Sequence, residues 1–452
     1  MPRQALCARA ALLPRSTLCM SLLVGCAVGG CIRSRGDLFT AACGDPATHA
    51  PGPCPEWPNV ESNANSDAWL MAHHDEIELM RPRVLVLHFY RYVLADELRP
   101  TLDRHISALR EGSRYHAYAD PSAPPFLAYE VAKIVDLVDP APPGWLPPSS
   151  TLLPTIPTAS AEGVFDAKQL FAQPYTDLID IADPEDPGVR LDLCQLFERG
   201  IIHEVWLNVG DEPPRGPPPV LERRRVYDGA GKPMYAEGKP LFESAPALEG
   251  VTCNVSIRMV SLRPERGAGC DLRDHGAAFE SLTKTIPYLD ANARPFLNRD
   301  MKDRFHTCSG GVCFDGWSDI CPPDYTWCVK YAGPTRATDP RNFWSIDPFW
   351  QGCGGVDFPP NARWRWDFHN DDPTMQHIMQ RCAHYGMRDD PNGNDAYELY
   401  PPEVIDDYDK RFEPDCGGGW QIYWRQSLPG LRNSAFDASG KQMRNWWPYL
   451  FY

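Results

Sequence analysis

The residues best placed to do chemistry are Asn208, Asp211 and Glu212, which close a stretch from 191 to 212. Leu193, Leu196 and Phe197 fall at helical spacing, Gly200 can supply a left-handed stop, and residues 201–209 read as a buried strand. In open α/β sheets ligands bind beyond the carboxyl ends of the strands, so a polar turn after such a strand is where proton transfer is expected. Residues 83–90 form a second, almost continuous apolar run that ends in His88 and Tyr90. If the two runs are parallel in one sheet, His88, Asp211 and Glu212 meet at one edge as an acid/base group, with Tyr90 and Asn208 as ligand contacts. His203 and Glu204 lie earlier in the strand on opposite faces and read as buried polar groups, each with its own partner.

Other constellations are weaker. His377, Arg381 and His384 share one face of an expected helix at 373–385, with Asp372 as its N-cap and Gly386 as its stop. Arginine occupies the i+4 place that a metal-binding histidine would need, so the stripe reads as solvated or anion-facing. Residues 73–76, His-His-Asp-Glu, diverge on any regular element. Asp390, Asn392, Asn394 and Glu398 place oxygen donors at the alternating spacing of a calcium loop but lack its sixth-position glycine, and an Asx-rich turn is the plainer reading. Trp364 and Trp366, with Trp420, Trp424, Trp446 and Trp447, could offer flat platforms to sugar rings, although core packing accounts for most such residues. Gly-x-Ser-x-Gly, His-Glu-x-x-His, Gly-x-x-x-x-Gly-Lys and dinucleotide fingerprints do not occur in the sequence, which lowers the weight of the common hydrolase and nucleotide classes.

The elements that must position these groups follow in order. Arg3, Arg9 and Arg15 precede a short apolar run at 18–24, the pattern of a secretory signal and too brief for a permanent membrane helix. Leu23-Val24-Gly25-Cys26 resembles the lipobox of bacterial lipoproteins, with Val28-Gly29-Gly30-Cys31 as an alternative. That resemblance implies a lipid anchor at Cys26, or Cys31, and an outer-membrane location because Ala27 rather than aspartate follows. The expected organisation is a signal peptide at 1–25 (or 1–30), an anchor and tether at 26–66, and a single domain at 67–452 that may divide near 213–300.

Export changes the reading of cysteine, since thiols in an oxidising compartment pair with each other more often than they bind zinc. Cys43, Cys54, Cys194, Cys253, Cys270, Cys308, Cys313, Cys321, Cys328, Cys353, Cys382 and Cys416 are therefore expected in disulfides. If Cys26 is the anchor, one thiol is left over, and buried helical Cys194 is the candidate. Between these pins the sequence gives a helix starting near Pro100, an apolar segment at 126–138, a hairpin near 225–235, a strand at 253–263 and a helix at 271–284. The fold class is α/β or α+β: a mixed sheet with helices, antiparallel additions and a disulfide-rich, Trp-rich C-terminal half. A net charge of −16 argues against nucleic acid, and no nucleotide motif is present.

Glu204-Val205-Trp206, Glu243-Ser244, Glu265-Arg266-Gly267, Glu280-Ser281 and the run Gly354-Gly355-Val356-Asp357-Phe358-Pro359-Pro360-Asn361 occur in an order that resembles a group of secreted bacterial proteins of unknown function. The resemblance covers residues 83 to about 370. It implies histidine near position 277 and at 357, where this chain has Ala277 and Asp357, and both departures weaken the case for a shared metal site. It carries over no activity. The function expected is a cell-envelope lipoprotein, with hydrolysis of a glycan or peptidoglycan-type substrate as the leading activity. The alternative is non-catalytic surface carbohydrate binding or a structural role. Expected partners are the lipid bilayer and a glycan, and calcium is the one cofactor in view.

Overall fold

Six consecutive buried residues, Arg83–His88, form β1, because an apolar β-branched run can be covered on both faces only inside a layered sheet. The computed structural model describes residues 55–138, 152–156, 164–210, 217–263, 265–293, 402–412, 415–437 and 439–452, with Val356 and short strands at 307–309, 312–314, 329–330, 344–345, 379–380 and 398–399. After β1 come α1 (Leu98–Gly112), β2 (Glu130–Asp136), α2 (Gln173–Ile179) and α3 (Leu193–Glu198). The next elements are β3 (Glu204–Asn208), β4 (Val220–Arg225), β5 (Phe242–Ser244), β6 (Ile257–Leu262) and α4 (Gly267–Thr285). Two late helices follow, α5 (Pro402–Phe412) and α6 (Gly418–Ser427).

The six strands make one mixed sheet in the order β5-β4-β6-β3-β1-β2. β2, β1, β3 and β6 are mutually parallel, whereas β4 is antiparallel to β6 and β5 antiparallel to β4. Alternate side chains face two separate cores. Val84, Val86, Trp206, Val260 and Leu262 pack toward α1, α4 and α6, while Leu85, Leu87, Val205, Leu207 and Met259 pack toward α2 and α3. The expected mixed sheet with helices and antiparallel additions is therefore the fold observed.

The helix-to-strand unit at 191–209 is built as its residues dictate. Asp192 caps α3 by accepting from the Gln195 N–H, and the Gln195 side chain reciprocates at the Asp192 N–H. Gly200 then turns the chain at φ 60°, where an added Cβ would lie 1.6 Å from the Asn63 carbonyl oxygen, so only glycine fits.

Three expectations are corrected. Cys194 is not a free thiol: it bonds to Cys253, tying α3 to the approach to β6, and a second disulfide joins Cys270 in α4 to Cys416 ahead of α6. Met379 and Gln380, expected inside a helix, pair as a short antiparallel strand with Glu398 and Leu399; the rest of the expected helix, His377, Arg381 and His384 included, lies outside the described residues. Residues 55–66, expected in the tether, are packed: Glu56–Trp57 pairs with Leu79–Met80, and Trp57 is fully buried against His203 and Phe451. Trp420, Trp424, Trp446 and Trp447 are buried in the core, the packing role expected for most of the tryptophans. The aromatic C-terminus is docked as its composition demands, with the Ser66 N–H donating to the Phe451 carbonyl at 2.7 Å. Among the described residues no helix is long and apolar enough to cross a membrane. Cys26, Cys31, Cys43, Cys54, Trp364, Trp366, Asp390, Asn392 and Asn394 lie outside the described residues, as do Asp211 and Glu212.

Candidate functional site

The parallel strands bring their carboxyl ends to one edge. His88 of β1 stands opposite Asn208 of β3, and the two side chains meet, His88 Nδ1 to Asn208 Oδ1 at 2.9 Å. The other ring nitrogen bonds the Val93 carbonyl at 2.8 Å. His88 is thus buried with both nitrogens engaged, which braces the loop after β1 and leaves it no idle nitrogen to offer a ligand. That loop carries Tyr90 and Tyr92, whose rings lie 5.4 Å apart, and Tyr92 is 42% exposed. Tyr90 lies over Gly210, where an added Cβ would come within 2.6 Å of its ring and 3.7 Å of a Glu265 carboxylate oxygen. Gly210 is therefore the floor on which Tyr90 and Glu265 approach each other.

Behind Glu265 sits a group the sequence reading missed. Asp271, the fifth residue of α4, is buried and accepts the Arg263 N–H at 2.8 Å. Burial pushes its carboxyl up to about 8, the Arg263 N–H opposing and the nearby Asp274 and Glu265 carboxylates adding to the rise. The helix dipole favours an ionised carboxylate only within the first turn, so at the fifth position desolvation wins and Asp271 is protonated at neutral pH. Burial also raises Asp274, against the pull of Arg273 at 2.9 Å and Arg263 at 3.6 Å. Glu265 itself is exposed. The edge thus holds a neutral acid, an exposed carboxylate and two tyrosine rings.

A second polar locus crosses the middle of the sheet on the α4 face. Arg258 of β6 stands opposite Glu222 of β4 and bonds it at 2.8 Å, while its other arm reaches Glu204 of β3 at 2.6 Å. Arg224 closes the row on Glu222. Glu204 also accepts from the Tyr129 hydroxyl at 2.9 Å and from Trp206 Nε1 at 3.1 Å. Burial would raise both glutamates, but the arginines outweigh it, holding Glu204 well below the usual carboxylate range and Glu222 at about 2. His275 of α4 joins through the Tyr129 hydroxyl at 3.0 Å and is pushed down to about 4, chiefly by burial. With Arg425 Nη2 donating to His275 Nδ1 at 3.2 Å, the network assigns the proton of neutral His275 to Nε2. Every ionisable group here is locked in one charge state, which suits holding strands together and not proton exchange.

His203 and Glu204 behave as their alternation implied. His203 points away from the charge row, its Nδ1 accepting the Arg83 N–H at 2.8 Å and its Nε2 donating to the Asn63 carbonyl at 3.0 Å. Tyr129, Glu222, Arg224, Arg258 and His275 were not singled out in the sequence. The available signal was a charge inside an otherwise apolar strand, Arg258 within Ile257–Leu262, since a buried charge demands a partner on a neighbouring strand; the Glu222-Arg223-Arg224-Arg225 run carries no such contrast.

No protein-family model, characterised protein sequence or solved structure matches this chain. Among the described residues no group of three or more His, Cys, Asp or Glu side chains is placed to hold a metal ion. The calcium candidates lie outside those residues, apart from the Glu398 backbone in its short strand.

Proposed function

We propose that this chain is an exported, lipid-anchored envelope protein, held through Cys26 or Cys31, that hydrolyses a glycan or peptidoglycan-type substrate at the carboxyl edge of its parallel strands. The observation that carries the reading is the pairing of a carboxyl held neutral, Asp271, with the exposed Glu265 beside Tyr90 and Tyr92. Glycoside hydrolysis needs two carboxyl groups pushed to opposite protonation states, and sugar rings lie flat on aromatic faces. In this proposal Tyr90 and Tyr92 seat a sugar ring and Glu265 takes a proton from the attacking water. Asp271 supplies the proton that reaches the leaving oxygen as the glycosidic C–O bond breaks. Asp211 and Glu212, next along the chain from Gly210, are candidate further carboxylates of this edge. His88 and Asn208 hold the tyrosine loop in place. Two disulfides suit the oxidising compartment that export implies.

Turnover of defined peptidoglycan and oligosaccharide fragments is the test. Glu265→Gln and Asp271→Asn are each expected to lower kcat by roughly a hundredfold or more, the usual contribution of a positioned acid or base. Retained turnover in both variants sinks the hydrolase reading. If Tyr90→Ala abolishes binding while no variant shows turnover, the chain is a non-catalytic carbohydrate binder.

A further inference from the structure

A cleft of roughly 410 Å³ opens beside the charge row, on the flank of the sheet away from the tyrosine edge. Its walls are β4 and β5 on one side and α4 on the other, and its polar lining consists chiefly of Glu222, Arg224, Glu243, Ser244, Ser281 and Lys284. The volume falls within the roughly 300–1,000 Å³ typical of small-molecule sites.

Internal pairing leaves a specific remainder. Glu222 is fully engaged by Arg224, Arg258 and the Ser281 hydroxyl, so it has little left to offer a ligand. Arg224 is the opposite case. It is 4% exposed, its Nη2 donates to Glu222, its Nη1 reaches the Tyr449 carbonyl only at 3.5 Å, and its Nε has no partner. An arginine buried with an idle donor carries a desolvation cost that a ligand oxygen would relieve. Among the described residues neither Glu243, which stands opposite Arg224 in the sheet, nor Lys284 has an ion-pair partner. The free charges are therefore one carboxylate on β5 and one ammonium on α4, backed by an under-used guanidinium.

We infer that this cleft binds a small zwitterion of the amino-acid or dipeptide class, its ammonium against Glu243 and its carboxylate between Lys284 and Arg224. A neutral sugar would leave both rim charges uncompensated, and a simple anion would meet the repulsion of Glu243. Apolar lining from Pro219, Val220 and Ala277 leaves room for a short side chain between the two poles. The site is separate from the strand edge and does not depend on glycan hydrolysis there.

Titration calorimetry on the full chain, with alanylalanine as the probe, tests this. The free dipeptide is expected to bind, and N-acetylation or C-terminal amidation should each weaken binding roughly tenfold or more, the scale of losing one charge-assisted contact. Glu243→Gln should remove the preference for the free amine, and Lys284→Gln the preference for the free carboxylate. Both positions are exposed and, among the described residues, unpaired, so the variants are expected to unfold like the parent. Equal binding of the free and capped dipeptides, or no binding of any of them at millimolar concentration, overturns the inference.

Discussion

The strand edge and the charge row hold buried carboxyls in opposite states, Asp271 of α4 at the edge and Glu204 and Glu222 of the sheet in the row. At Asp271 burial, reinforced by the Asp274 and Glu265 carboxylates, outweighs the pull of Arg263, so its proton stays on; Glu204 and Glu222 are also buried but share Arg258, so theirs is lost. Burial alone does not set a charge state. The balance between desolvation and a paired guanidinium does, and here it leaves one region with a neutral buried acid and the other rigidly ionic.

The harshest test of that comparison is Arg258→Met. It leaves Glu204 and Glu222 buried with one shared cation gone, and a loss of about 3–5 kcal/mol in unfolding free energy is expected by urea titration. A loss under about 1 kcal/mol would mean the row is not the closed ionic unit described. Next in size is the Cys270→Ser, Cys416→Ser double variant, which releases a cross-link spanning 146 residues between α4 and α6. About 2–4 kcal/mol is expected, read from the same titration in the oxidised protein.

The finest test uses pH. Asp271 is raised from 3.8 to about 8, so between those values the unfolded chain has released a proton that the folded chain keeps. Its contribution therefore favours the fold at low pH and is lost as pH rises toward 8. Glu222 is lowered from 4.5 to about 2, so its contribution is present above 4.5 and disappears as pH falls toward 2. Asp271→Asn should flatten the decline in stability between pH 4 and 8 and leave the acid limb unchanged. Unfolding midpoints across that range check it, and an unchanged slope would place the Asp271 carboxyl back in the ordinary range.

Much of the frame was legible in the residues. The apolar runs at 83–90 and 201–209 predicted two doubly covered strands, and they are the adjacent parallel pair β1 and β3 at the centre of the sheet. The left-handed stop expected at Gly200 closes the helix that leads into β3, at φ 60°. His203 and Glu204 could be sent to opposite faces because side chains alternate along a strand whatever surrounds it. Cys194 was misread because a cysteine on an apolar helix face looks the same whether or not a partner arrives, and Cys253 lies 59 residues on. Residues 55–66 were misread because their Pro, Asn and Ser content describes a tether equally well when Trp57 finds a core to enter.

The sequence by itself determined local matters: which runs become strands, where α3 starts and the turn after it bends, and that the aromatic C-terminus must be buried. Those follow from periodicity, capping and hydrophobicity, which act over a few residues. Only the tertiary structure decided that Arg258 falls between Glu204 and Glu222, that Asp271 lies behind Glu265, and that Arg224 keeps an idle donor beside a cleft. Strand register and helix docking bring those groups together from segments far apart in the chain, and a buried group's charge is set by the neighbours it meets there.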